Sequence, residues 1–489
     1  MTSTANRLSY NLAQKGQLNA AGITAASKKS TEELLLKDAE KHHCYFRSAG
    51  LHNHLSHHLL AAYDLGATAS HLKKIYDVEA AIQRPIFVEE KDASISVNDD
   101  NWVQYLGNQS AYGSFFKFFS GKVADLGAGP TLEKFVFDAA ANAPGKVMLI
   151  RVMSGAVHPF IQIGYGLEFG DETLVATGLA QAAVHTPTAP EIYDFSYEET
   201  SSSDPGLTVL EILRQVYDSE VLKPAPYEPN ALFTARLRKI VERGHVEMRK
   251  ICAGFHVDTR ASDAVFASKV EEFIWASTLL MSATGRKGRE VRLDFFLMHL
   301  VTSSLFLQPF LRVLENPISK ANLLRAYLPV VVLLTLARGR PRIDPGLLMS
   351  YPFTPRAPGA SPLRPTKSAI GLATDDADYN PWPVMFEDVV YHPDAHVLKA
   401  FRALAFGARE YGAVPAGEAI GAFLSKTDSK ESHPGAAQMD GTIFVRAAGM
   451  MMDYMGWTAH GQEARDDWDR SALGWDAAWD KDVDISSKN

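Results

Sequence analysis

The stretch 50-GLHNHLSHHLLAAYDLGA-67 places four histidines, His52, His54, His57 and His58, within seven residues. Near neutral pH an imidazole can serve as a metal ligand or as a general base. His54 and His58 are four apart, the spacing at which a helix presents two ligands on one face. The competing reading is polar filling at a helix start. In 155-GAVHPFIQIGYGLEFG-170, Pro159 suits the first turn of a helix and puts His158 at its mouth. His158 is then a site residue or a buried structural histidine. His299 lies within 293-LDFFLMHLVTSSLFLQPF-310, apolar on nearly every side and therefore a buried helix. Burying a polar group without a partner costs roughly 2–7 kcal/mol, so His299 must meet a backbone carbonyl, a metal or a substrate. In 391-YHPDAHVLKAFRALAFG-407, His396 and Lys399 are three apart and share a helix face. Val397, Leu398, Phe401, Leu404 and Phe406 leave that helix few exposed directions. A desolvated lysine keeps some free amine at neutral pH. That amine can add carbon dioxide, and the carbamate is an anionic oxygen ligand. The alternative is a lysine that snorkels to water.

Other chemistries find little support. There is no HExxH and no Cys-x-x-Cys, which argues against a zincin or a zinc finger. No Gly-x-Ser-x-Gly elbow, Walker A loop or GxGxxG after a strand is present, so neither flavin nor NAD(P) is expected. The stretch 124-ADLGAGPT-131 lacks the apolar strand that a nucleotide loop follows. His392-Pro-Asp394 matches part of an iron-binding triad whose small β-barrel this sequence does not suggest.

The chain has 489 residues, 46% hydrophobic and 22% charged, enough to bury a large core without disulfides. Its two cysteines, Cys44 and Cys252, make a reducing compartment the default. A net charge of −8 gives no basic footprint for nucleic acid. The start, MTSTANRLSYNLAQKGQ, has no signal-peptide layout, and DISSKN is not a peroxisomal address. The apolar run 326-AYLPVVVLLTLA-337 is too short to span a bilayer and is interrupted by Pro329. A soluble, cytoplasmic protein without a membrane partner is expected.

The elements that must carry these residues are helices. His54, Leu55, His58, Leu59, Ala62 and Leu65 recur at intervals of three and four, and Gly66 suits a C-cap. Further helices are predicted over 131–141, 173–185, 207–217, 230–252, 264–283, 290–314 and 394–411. The fold class is mainly α: a large, bundle-like single unit with a long Pro-rich irregular insertion. Residues 1–40 form a polar N-terminal segment and 41–455 a helical catalytic domain. Residues 341–383 hold nine of the 25 prolines and form an irregular loop, a candidate lid. The tail 456–489 carries Trp457, Trp468, Trp475 and Trp479 and reads as a docking helix.

The blocks HNHLSHHLLAAYDLGA, GAVHPFIQIGYGLEF and HPDAHVLKAFRAL, in this order and at these distances, resemble the fungal questin oxidase family. The resemblance runs from about residue 40 to residue 455. It implies an oxygenase without flavin that opens the ring of an anthraquinone-type polyketide. The substrate would be a hydroquinone-like form made by a partner reductase, and the product a benzophenone acid. For iron-dependent members it implies Fe(II) held by four histidines and a carbamylated lysine. Here these would be His54, His158, His299, His396 and Lys399, with His58 as the alternative to His54. For cofactor-free members, His54, His58, His158 and Lys399 would be bases and oxyanion donors. Where relatives carry a second histidine four residues after the position of His158, this chain has Gln162, a candidate substrate contact. Flat aromatic substrates need an apolar slot, for which Tyr45, Phe46, Phe295 and Phe296 are candidates. The competing class is a non-catalytic helical carrier of hydrophobic polyketide intermediates.

Overall fold

A computed structural model describes residues 9–47, 50–87, 89–199, 204, 206–359, 365–425, 429–465 and 468–480. Residues 1–8 of the N-terminal segment, 360–364 of the Pro-rich stretch, and 466–467 and 481–489 of the tail lie outside them. The fold is mainly α, as the periodicity implies. The only sheet among the described residues is a hairpin, Tyr45–Arg47 with Leu51–His52, antiparallel.

The chain divides into two compact units. The first comprises residues 1–206, 248–270 and 305–330. At its centre the helix Ser154–Phe169 packs on Glu172–Val184, which also packs on Tyr112–Leu126. Small residues make the close approach possible. A Cβ on Gly178 would stand 2.5 Å from Ile163 Cγ1 and 2.7 Å from the Ile163 backbone nitrogen. Asp171 starts the second helix of this pair by accepting from the Leu174 N–H at 2.8 Å. The N-terminal segment is more firmly built in than its polar composition suggests. Asp171 also takes the Asn11 N–H, Glu168 takes that of Gln17, and Asp64 takes those of Leu18 and Asn19.

The second unit comprises residues 207–247, 271–304 and 331–489. Its core is the helix Ala395–Tyr411, packed against Phe295–Ser304 and Ile443–Met455. The described residues of the Pro-rich stretch are irregular apart from the short helix Pro345–Met349, before the helix Trp382–Val389. It is anchored where Arg446 donates to the Met349 carbonyl at 2.9 Å and where Pro355 packs on Gly449.

Most expected helices are found within three residues of their bounds: Glu172–Val184, Val209–Asp218, Phe233–Cys252, Asp263–Ser282 and Ala395–Tyr411. Three expectations differ. The helix expected over 131–141 is a short α-helix, Ala128–Leu132, a π-helical turn, Glu133–Phe137, and a 3-10 turn, Ala139–Asn142. Asp138 breaks it by turning extended and capping the next turn through the Ala140 N–H. The helix expected over 290–314 is two, Phe295–Ser304 and Leu307–Val313. Asp294 caps the first through the N–H groups of Phe296 and Leu297. At its end the Thr302, Ser303 and Ser304 hydroxyls bond back to carbonyls of the preceding turn, which competes with helix continuation. The described residues of the tryptophan tail are docked but form no long helix. Gly456, Gly461 and Ala472 have φ of +99°, +85° and +77°, and the helical pieces among the described residues are the 3-10 turns Thr458–His460 and Asp476–Trp479.

The helix Pro317–Ala337 has 21 residues and runs on through Pro329. It and the stretch Phe295–Val313 are long and apolar enough to cross a membrane, but 89% and 78% of them are buried inside the protein.

Candidate active site

In the first unit the hairpin register pairs Tyr45 with His52 and leads directly into the histidine turn. Asn53 secures that turn. Its Oδ1 accepts from the Leu55 N–H at 2.8 Å, its Nδ2 donates to Asp38 at 3.0 Å, and its N–H donates to the Cys44 carbonyl at 2.8 Å. Asn53 thus turns the chain into the helix Leu55–Asp64, whose N-cap is His54 with φ −102° and ψ 1°. The His54 carbonyl accepts from the His58 N–H at 2.8 Å, but the two side chains diverge. His58 Nδ1 lies 2.9 Å from Glu79 Oε1 on the helix Ala69–Ala80, so the expected shared face of His54 and His58 is not formed.

His54 instead faces His158, with 2.8 Å between their Nε2 atoms. The approach to His158 is strained. Gly155, Ala156 and Val157 have φ of +59°, +50° and +59°, a left-handed run in which a β-branched valine is a genuine outlier. Regular helix begins only at His158–Pro159, so His158 does sit at a helix mouth. The run also curls the Gly155 carbonyl onto His158 Nδ1, at 2.7 Å. A carbonyl only accepts, so the hydrogen is on Nδ1 and the lone pair on Nε2. His52 stacks on His158 at 4.0 Å between ring centres and lies 3.2 Å from His185, Nε2 to Nε2. Position 155 must be glycine, because a Cβ there would stand 2.1 Å from His185 Nε2 and 2.9 Å from His52 Cε1. His57 completes the group, 5.3 Å from the Tyr165 ring.

Tyr45 lies beside this group, 5.1 Å from the His52 ring and 5.8 Å from that of His185. Phe46 points away and is half-buried under the Arg47 guanidinium. Gln162 is buried and engaged at both ends. Its Oε1 accepts from Ser56 at 3.0 Å and its Nε2 donates to Thr177 at 2.9 Å.

In the second unit Asp394 caps the helix of His396, accepting from the His396 N–H at 2.9 Å. The same oxygen accepts from His396 Nδ1 at 2.8 Å. His299 Nδ1 donates to the Phe295 carbonyl at 2.7 Å, the backbone bond expected of a buried imidazole. Both histidines therefore carry their lone pair on Nε2. Their rings are 5.2 Å apart, with Phe295 standing edge-on to both at 4.8 and 5.2 Å. Phe296 turns the other way and stacks on Phe233 at 3.7 Å. Lys399 does not snorkel and is only 2% exposed. Burial, then the proximity of His396 and Lys399, hold His299 well below the usual imidazole pKa. Burial also lowers His396, outweighing Asp394. Burial acts to raise Asp394, but the hydrogen bonds it accepts from His396 and Trp468 override it and keep the carboxyl ionised well below the usual range. His392 is spent on structure, bonding the Met455 carbonyl and the Asp394 N–H.

His158, His299 and His396 thus share one feature. Each gives its Nδ1 hydrogen to a fixed carbonyl or carboxylate and keeps its lone pair on Nε2. Metal-binding histidines are oriented in this way. The 2.8 Å between His54 and His158 Nε2 also suits ligation. Neighbouring ligands at right angles on bonds of about 2.0–2.1 Å lie about 3 Å apart. The donor set fits a first-row metal such as iron, for which imidazole is a suitable ligand. His52, His185 and the supports Asp38, Asn53, Gly155 and Trp468 were not expected from sequence. Of these, His52 and Asn53 lie in the histidine turn itself, whereas His185 ends a helix with nothing nearby to mark it.

A mainly helical protein that buries neutral imidazoles in this way is a candidate metal or acid–base catalyst. The chain belongs to the questin oxidase-like family, which it matches over residues 51–404. It is 28% identical to a questin oxidase of Aspergillus fumigatus, covering 87% of this chain and 88% of that protein. It is 28% identical to the Baeyer-Villiger oxidase ptaJ of Pestalotiopsis fici, over 82% and 86% of the two chains. The Baeyer-Villiger monooxygenase dmxR6 of a Cryptosporiopsis species is also 28% identical, over 87% and 91%.

Proposed function

We propose that this protein is a flavin-free oxygenase that opens the central ring of an anthraquinone-type polyketide to a benzophenone-type acid. The observation that carries this is the common arrangement of His158, His299 and His396, buried rings with Nδ1 tied to a carbonyl or carboxylate and the lone pair left on Nε2. Relatives named as questin and Baeyer-Villiger oxidases, aligned over most of both chains, supply the substrate class. The reading takes the substrate as a reduced, hydroquinone-like form. Its two electrons and dioxygen then balance insertion of one oxygen atom beside a ring carbonyl, with the other oxygen leaving as water; addition of water to the resulting lactone breaks its acyl–oxygen bond and gives the acid. As the family resemblance implies, a separate reductase in the cytoplasm would make that form.

Ferrous iron suits the imidazoles of either unit, His54 and His158 in the first and His299 and His396 in the second, the latter with a carbamylated Lys399. Bound iron would supply the one-electron exchange that triplet oxygen needs to react with a closed-shell molecule. The chain's own residues do the rest. Asp394 keeps His396 oriented, and burial keeps both His299 and His396 neutral and able to bind through nitrogen. Tyr45 and Phe295 offer aromatic faces to a flat substrate, and the stretch 341–383 is the candidate lid.

The test is elemental analysis of protein purified without chelator or affinity metal, paired with oxygen uptake on reduced anthraquinones. Near-stoichiometric iron, lost with activity in His396→Ala, is expected. Metal-free protein that still consumes oxygen would overturn the iron assignment. The same imidazoles would then act as bases, His158 Nε2 taking a phenolic proton. No enzyme-dependent uptake with any of several substrates would overturn the oxygenase reading in favour of a carrier.

A further inference from the structure

The C-terminal tail lies beyond the matched residues 51–404, yet three consecutive tail residues each grip a support of His299 and His396. Trp468 is 2% exposed and its Nε1 donates to Asp394 Oδ2 at 2.7 Å. Asp394 Oδ1, the other oxygen, is the one that holds His396. Asp469 pairs its backbone with the start of the His299 helix. Its carbonyl accepts from the Phe295 N–H at 2.8 Å, and its N–H donates to the Leu293 carbonyl at 2.7 Å. Its carboxylate takes Arg292 Nε at 3.0 Å. Arg470 places its guanidinium 4.1 Å over the Phe295 ring, which stands on both imidazoles.

We propose that residues 468–470 are a positioning clamp on the His299–His396 pair, with Trp468 a positioning residue that acts through Asp394. The indole N–H fixes the rotation of the carboxylate about its Cβ–Cγ bond and occupies one oxygen. The other oxygen is thereby aimed at His396 Nδ1. A support of this kind sets both the direction and the basicity of a histidine whose other nitrogen binds a metal. The metal part of this inference rests on the iron reading above; the orientation of His396 does not.

The experiment compares Trp468→Phe with Trp475→Phe, both in the full chain. The control also loses an indole donor from the same tail, since Trp475 Nε1 donates to the Ala225 carbonyl at 2.8 Å. Two quantities are read besides Tm: the imidazole nitrogen resonances of His396 in metal-free protein, and ferrous affinity by competition with a chelator. In Trp468→Phe the His396 resonances should move and ferrous binding should weaken about tenfold, at the lower end of losses for such supports. In Trp475→Phe both should stay as in the wild type. If Trp468→Phe matches the control, with His396 unmoved, the clamp is refuted. If wild-type protein binds no ferrous iron, the iron reading fails while the His396 resonances still decide the clamp. Should Trp468→Phe not fold, Arg470→Met carries the test at the other grip. The His299 and His396 resonances should then shift through Phe295, and unmoved resonances would refute the clamp.

Discussion

The two units hold their imidazoles by different means. In the first, ring rests on ring: His52 stacks on His158, His185 meets His52, and His54 meets His158. Behind them runs a backbone in the left-handed region. In the second, fixed acceptors do the work: a helix carbonyl for His299 and a capping carboxylate for His396. Neither helix there, Phe295–Ser304 or Ala395–Tyr411, has a residue of positive φ. The first set is adaptable but depends on strain and on mutual contacts. The second is rigid and depends on a few outer supports. Geometry in the first unit should therefore be sensitive to backbone changes, and in the second to loss of single hydrogen bonds.

The largest effect tests whether both sets matter equally. His158→Ala and His396→Ala should each cost two to four orders of magnitude in oxygen uptake, the range for losing a group that acts in the transition state. Folding should survive in both. If only one variant loses activity, the other set is structural. The next effect separates strain from hydrogen bonding. Gly155→Ala must place a Cβ 2.1 Å from His185 Nε2 at a φ of +59°. It should destabilise by about 1–3 kcal/mol and lower kcat by displacing His158. A chemical denaturation series with activity measured on the same samples checks both. A Gly155→Ala protein of unchanged kcat would show that the left-handed run is incidental.

Acid stability should report the buried groups of both units. Burial holds His43 in the first unit and His433 in the second at about 4, below the ordinary 6.5. Each stays neutral in the folded state while the unfolded chain protonates. Each therefore contributes stability that is present above pH 6.5 and lost as pH falls through about 4, roughly 3 kcal/mol at most. Asp171, in the first unit, has the opposite sign. Burial raises its carboxyl to about 6, so its contribution is present below the ordinary 3.8 and lost as pH rises through about 6. The two slopes oppose each other in the first unit between pH 4 and 6, where burial lowers His185 as well. In the second unit the lowered His299 and His396 reinforce His433, while the carboxyls of Asp294 and Glu271, raised by burial, oppose them. Hydrogen exchange, corrected for intrinsic rates, should lose protection in Ala395–Tyr411, the helix of His396, as pH falls from 6 to 4. Unchanged protection there would contradict the assigned burial of His396.

The sequence displayed the second unit's chemistry better than the first's. His396 and Lys399 follow from helical spacing in an apolar helix, because a regular element turns sequence distance into direction. His299 follows from the apolar run around it. The His54–His158 pair does not follow, because it depends on backbone that periodicity does not describe: the Asn53 turn and three positive φ values. Helical spacing pointed to His54 with His58, but at the cap position the His54 side chain turns to His158 while His58 turns to Glu79. Trp468 was visible only as a tryptophan in a tail, since its partner Asp394 lies 74 residues away.

The smallest effect concerns Gln162, expected from its place four residues after His158 to touch substrate. Its amide is already spent between Ser56 and Thr177. Thr177 keeps its own bond to the Leu174 carbonyl at 2.8 Å, so losing the glutamine strands mainly the Ser56 hydroxyl. Gln162→Met should therefore cost about 1–2 kcal/mol in stability, the price of one buried hydroxyl left without an acceptor. KM should stay within about twofold, because a brace holding the histidine turn need not meet the substrate. Phe295→Leu is the counterpart in the second unit, where an aromatic face half-exposed beside His299 and His396 is lost. There KM should rise by about tenfold, the equivalent of roughly 1.4 kcal/mol of binding. If Gln162→Met raises KM as much as Phe295→Leu does, the amide contacts substrate after all. The first unit would then supply specificity as well as imidazoles.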